Sequence, residues 1–248
     1  MNFPRISIAV FVFITFMAAN SFAATCTNAT LNGVYGMVGS GLNGSGQPAA
    51  SVTQVTADGN GNLTGTTMKS IDGTIVTFTT TGTYQLAKNC TGSATLTNQD
   101  DETESSNIFM NNTNKGAFLI QTDANHVVSS IAYEQGKAPC TNLGVHHTYS
   151  LEATGILLSS GQIAAAGQLV LNGKGSLTGT VTFSVNGSIS SLPVTGTYSI
   201  NSNCTGTATF TPQGQSAVNL GVVIVNAGKE MMFIETDANT IVSGTLQE

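Results

Sequence analysis

Apolar and polar residues alternate along most of this chain. In GTVTFSVNGS, residues 179–188, Val181, Phe183 and Val185 interleave with Thr180, Thr182 and Ser184, a period of two that puts one set on each face of an extended strand. Asn186-Gly187 follows, a pair that tolerates the positive φ of a two-residue hairpin turn. Further turn signals come at regular intervals: DGNG at 58–61, NGKG at 172–175, and TDAN at both 122–125 and 236–239. The pattern predicts strands in the second half over 147–155, 164–171, 177–185, 189–200, 205–211, 219–226, 230–236 and 240–247, eight antiparallel strands in chain order. No helical period stands out beyond the N-terminal leader, so the fold class is all-β.

The first half repeats the second. Residues 81–97, TGTYQLAKNCTGSATLT, echo residues 195–211, TGTYSINSNCTGTATFT, and a shift of 114 residues carries 26–134 onto 140–248 without a gap, with 39 identities in 109 positions. A unit of this length has the size of a small domain rather than of a solenoid repeat. The predicted organisation is a signal peptide over 1–23, a first repeat over 24–134, a linker QGKAP over 135–139 and a second repeat over 140–248. Eight hairpin-linked strands hide their edges by closing into an up-and-down barrel or by stacking as a sandwich. Two tandem antiparallel eight-stranded barrels are the expectation, because connections are short and glycines in LTGT and TGTY allow the bends that closure needs; β-sandwiches are the alternative.

The leader MNFPRISIAVFVFITFMAANSFAATC has one basic residue, an apolar run from Ile6 to Ala19 and small residues at Ser21 and Ala23, the order of a secretory signal. That run is too short to cross a bilayer, so no integral span is expected and the localisation read from sequence is secreted, extracellular or periplasmic, with cell-surface association the variant. An exported chain with four cysteines, Cys26, Cys90, Cys140 and Cys204, two per repeat at matched places, suggests disulfides. Three connectivities exist; the duplication favours Cys26 with Cys90 and Cys140 with Cys204, since a unit that once stood alone carried its own bridge.

Without the leader the only arginine is gone, leaving six lysines against thirteen acids. That balance argues against nucleic acid, phosphate-rich ligands and anionic membranes, which need clustered guanidinium and ammonium groups. Metal and catalytic signatures are weak. DGNGNLT starts like a calcium loop but puts Leu63 and Lys69 where glycine and a bidentate carboxylate belong, so a tight hairpin is the reading. Adjacent His146 and His147 point to opposite faces of a strand. DDETE at 100–104 reads as a solvated loop, and Asp123 and Asp237 as turn-capping residues. No metal, cofactor or catalytic residue is assigned, and the chain is read as a non-enzyme. The repeated aromatics Tyr35, Tyr84, Tyr149 and Tyr198 are the candidate ligand contacts, against the commoner role of a buried strand tyrosine with its hydroxyl at a rim.

The motifs G-x-Y, ADGNGNLTG, TGTY, NCTG and FIETDAN resemble those of a group of small secreted bacterial β-repeat proteins of unassigned function, over nearly the whole of both repeats. At the level of architecture, a meander opening with Gly33-Val34-Tyr35 is similar to the calycins, the lipocalin and avidin group, whose first strand bears G-x-W; here there is no tryptophan. The resemblance implies a ligand cavity, and shortage of charge favours a neutral small molecule or glycan. The second class is a structural or adhesive surface component whose Thr-rich faces self-associate or meet polysaccharide. The interiors discriminate: a solid core around Val181, Phe183, Val185 and their equivalents excludes a carrier, an open cavity supports one.

Overall fold

The computed structural model describes residues 25–111, 116–136 and 140–248; the predicted signal peptide, residues 137–139 of the linker, and Lys115 lie outside them. The first repeat forms β1 (Asn32–Leu42), β2 (Pro48–Asp58), β3 (Asn62–Ile71), β4 (Thr74–Leu86), β5 (Thr91–Asn98), β6 (Thr103–Met110), β7 (Gly116–Gln121) and β8 (Val127–Glu134). The second forms β9 (Thr148–Leu157), β10 (Gly161–Leu171), β11 (Ser176–Val185), β12 (Ser188–Ile200), β13 (Thr205–Pro212), β14 (Val218–Val225), β15 (Glu230–Glu235) and β16 (Thr240–Gln247). Each strand pairs antiparallel with the next, and β1 with β8 and β9 with β16 close two barrels. The sandwich alternative is set aside by those closing ladders.

The twice-written TGTY phrase explains itself in β4 and β12. A Cβ on Gly82 would lie 2.0 Å from the Thr95 carbonyl oxygen, and one on Gly196 would lie 2.1 Å from that of Thr209. Only glycine lets the neighbouring strand come this close where the small barrel bends. The NCTG phrase that follows is the next hairpin, with Cys90 and Cys204 at positive φ. Disulfides Cys26–Cys90 and Cys140–Cys204 tie the segment before each barrel to that hairpin. The same segments are laced down by Asn28 and Asn142, whose Oδ1 atoms accept the Leu86 and Ile200 N–H at 2.8 Å. One end of each barrel is thereby plugged.

The repeated aspartates, expected to cap their own turns, reach instead to a neighbouring strand. Asp123 Oδ2 accepts the Ser105 N–H at 2.8 Å and Asp237 Oδ2 the Asn219 N–H at 2.7 Å, so each pins the start of the strand two before its own. At 58–61, Asp58 Oδ1 accepts the N–H groups of Asn60 and Asn62 at 2.7 and 3.0 Å, the turn expected from sequence. Its side-chain bond from Asn62, with these backbone bonds, holds the Asp58 carboxyl down to about 2.

The barrels lie side by side. Outward residues Val223, Val225, Met232, Ile234 and Ile241 of the second bury against Val38, Ala50 and Val52 of the first, with Met68, Ile131 and Tyr133 beside them. Backbone bonds bracket this seam: Asn239 N–H to Gly73 O at one end and Ala227 N–H to Gln135 O at the other, both 2.9 Å. Asn239 sits in the TDAN turn and Gly73 in the β3–β4 turn, both at unplugged ends, so the two barrels open in the same direction.

Candidate ligand cavity

Because the period is two, alternate residues of every strand face the barrel axis, and the 114-residue shift pairs each inward position of one barrel with one in the other. In the second barrel those positions make a solid core. Phe210, Phe233, Leu220, Met231 and Leu246 are buried there, with Phe183 packed against them. Phe233 fits because its partner is small: a Cβ on Gly244 would meet the Phe233 ring at 2.6 Å. Val181 and Phe183 thus help fill the interior, while Val185, paired with Ile163, lies outside this cluster.

The first barrel places smaller or polar side chains at the same points. Leu96, Leu119, Ser106, Ala117 and Ala132 replace the five buried residues, and Lys69 replaces Phe183. The result is a cavity of about 320 Å³, within the range that holds small-molecule ligands. Its floor at the plugged end is apolar, with Leu31, Tyr35, Ala57, Leu63 and Ala94. Its mouth carries Asn43, Asn98, Asp100, Glu102 and His126.

Between floor and mouth lies a polar belt. Lys69 and Glu104 form an ion pair across the interior, with the lysine largely buried. The Thr53 and Thr67 hydroxyls are hydrogen-bonded to each other at 3.0 Å. Thr80 also lines the cavity, is 5% exposed, and its Oγ1 is a buried polar atom with no hydrogen-bond partner among the described residues. A buried hydroxyl without a partner costs about 1–3 kcal/mol, so a group supplied from within the cavity would relieve it.

The four sequence-selected tyrosines occupy different places. Tyr35 lines the cavity floor, and burial, helped by the Glu134 charge, pushes its hydroxyl up to about 12. Tyr84 donates to the Leu31 and Asn28 carbonyls at 2.5 and 2.9 Å. Tyr149 donates to Gly228 O at 2.5 Å, and Tyr198 accepts the Gly173 N–H at 2.8 Å. These three hydroxyls hold the plugged ends together. His147 Nδ1 lies 3.2 Å from Glu248 at a rim of the second barrel, and His126 at the mouth of the first. DDETE is not wholly a loop: Glu104 belongs to β6 and points inward, a correction that follows from its alternation with Ser106 and Ile108.

Nothing local marks Lys69, Thr80 and Glu104 as cavity residues: Lys69 counts only against a calcium loop, Glu104 falls in the DDETE cluster, and Thr80 lies in a run of threonines. Their signal was comparative: at these three inward positions the second copy has the apolar Phe183, Val194 and Val218. The second barrel carries its own inward acid, Glu235, buried near Asp237 and pushed up to about 7, chiefly by loss of water.

No family model matches this chain, and no curated protein matches it. Among solved structures, isotype 1 transferrin binding protein B from serogroup B Neisseria meningitidis aligns at 8% identity over 87% of this chain and 75% of that chain, with a TM-score of 0.38. Kievitone hydratase from Nectria haematococca aligns at 7% identity over 92% of this chain and 94% of that chain, with a TM-score of 0.33. At these scores neither likeness carries an argument about what this chain binds or catalyses.

Proposed function

We propose that this is an exported, non-catalytic binding protein in which the first barrel receives a small, uncharged amphiphile and the second is a solid support. The observation that carries the reading is the difference between duplicated interiors: one filled by phenylalanine, leucine and methionine, the other open and lined by an apolar floor beneath a polar belt. The ligand's apolar end would lie over Leu63 and Ala94, and its polar end would exchange a hydrogen bond with Thr80. The Lys69–Glu104 pair neutralises itself, which favours a neutral head over a carboxylate or an amine. A pit plugged at one end suits a small molecule better than a polysaccharide strand. Two disulfides support the exported compartment.

Titration with N-phenyl-naphthylamine, a neutral apolar fluorophore, tests the site. Saturable enhancement at one site per chain is expected, lost when Ser106→Leu and Ala117→Met install the residues of the second barrel. Binding that survives this filling would place the probe elsewhere and contradict the reading.

A further inference from the structure

The surface by which the second barrel holds the first has a duplicate that is left exposed among the described residues. Val223, Met232, Ile234 and Ile241 are buried in the seam between barrels. Shifted back by 114 residues, they become Phe109, Phe118, Ile120 and Val127, which are 46%, 57%, 47% and 66% exposed. Phe109 and Phe118 are directly paired across β6 and β7, so their rings form one patch. Along β8 that patch continues from Val127 to Ile131 and Tyr133, which already pack into the seam. The alternate residues of β6–β8 line the cavity, leaving the outward ones, among them Ser105, Asn107 and Ser129, without a charge. Contiguous apolar surface of this kind marks an interaction site.

Its partner can be narrowed from the same duplication. In the chain this surface type grips Val38, Val52 and Met68 of the first barrel, and that face is taken. The equivalent face of the second barrel has Glu152, Ala166 and Thr182, and exposed Glu152 sets a carboxylate where two phenylalanines would have to dock. Head-to-tail growth into filaments is thereby opposed. A two-fold contact needs a face that matches itself, and on a chain of net charge −6 an uncharged face is the one that can meet its own copy without repulsion.

We propose that the chain forms a closed dimer in which the β6–β8 face of the first barrel packs on the same face of a second copy. Sedimentation equilibrium of the intact, oxidised protein over a wide concentration range is expected to fit a monomer–dimer equilibrium with no larger species. Phe118→Asp should weaken the dimer by about a hundredfold or more, since it buries an unpaired carboxylate in the contact, with circular dichroism unchanged. Should that variant misfold, the unmodified protein still reports: amide exchange in β6–β8 should slow with rising concentration while that in β10–β12 does not. A monomer at all concentrations, a ladder beyond the dimer, or protection confined to another face would overturn the proposal. So would a monomer that instead sediments with phosphatidylcholine vesicles.

Discussion

Reciprocal substitutions at two duplicated positions should have opposite effects. Thr80 and Val194 are equivalent by the 114-residue shift, both are buried, and threonine and valine have nearly the same shape. Thr80→Val removes a hydroxyl that is buried with no partner; relief of about 1–3 kcal/mol is available, and stabilisation of about 1–2 kcal/mol is expected. Val194→Thr does the reverse in the dry core of the second barrel. It forfeits burial of one methyl, about 0.8 kcal/mol, and leaves a hydroxyl unmet, about 1–3 kcal/mol, for a loss of about 2–4 kcal/mol. Hydrogen exchange read by mass spectrometry across a urea series separates the two barrels. A ligand that hydrogen-bonds Thr80 should also lose about fivefold to tenfold in affinity for Thr80→Val, so stability rises while function falls. Destabilisation of the first barrel by Thr80→Val, or shifts of equal sign at both positions, would refute the claim that one interior is open and polar and the other solid and dry.

Two further predictions concern the scaffold. Glu235 has its carboxyl raised from an ordinary 4.5 to about 7, so the native state binds more protons than the unfolded chain between those values. Stability is then greatest below about pH 4.5 and falls as pH rises to about 7, by up to about 3 kcal/mol for such a shift. Glu235→Gln, which copies Gln121 of the first barrel, should flatten that slope in denaturation curves measured from pH 4 to 8, whereas an unchanged slope would contradict the assignment. Removing the Cys26–Cys90 bridge by alanine at both positions opens a closure across a separation of 64 residues, worth about 4 kcal/mol in the chain-entropy account. Unfolding midpoints should fall accordingly, with the first barrel unravelling before the second; loss from both barrels equally would argue against separately stapled units.

The architecture was legible because each of its determinants is local. Period two set the strands, Asn-Gly, Asp-Gly and TDAN set the turns, and the ungapped repeat doubled both; β11 and β12 match their expected spans to within a residue. Tyr35, Tyr84, Tyr149 and Tyr198 were legible only as a matched set of candidate ligand contacts. The cavity was not, because volume is a sum over strands far apart in sequence: Ser106 and Ala117 look ordinary until the closed barrel brings them to one cavity with Thr53 and Thr67. Nor was the seam between barrels, since Val38, Val52 and Met232 have the same apolar character as core residues and only the packing of two closed surfaces tells them apart. What sequence did hold was the contrast between copies, with Lys69, Thr80 and Glu104 set against Phe183, Val194 and Val218.

Native mass spectrometry of the protein recovered from its own source without denaturation is the sharpest test of an open, occupied first barrel. A reproducible extra mass is expected, a small neutral compound bound once per chain that leaves on unfolding and is absent when Ser106→Leu and Ala117→Met fill the first barrel. A bare chain carrying two disulfides, whatever extract it is incubated with, or an adduct that persists in the filled variant, would contradict it.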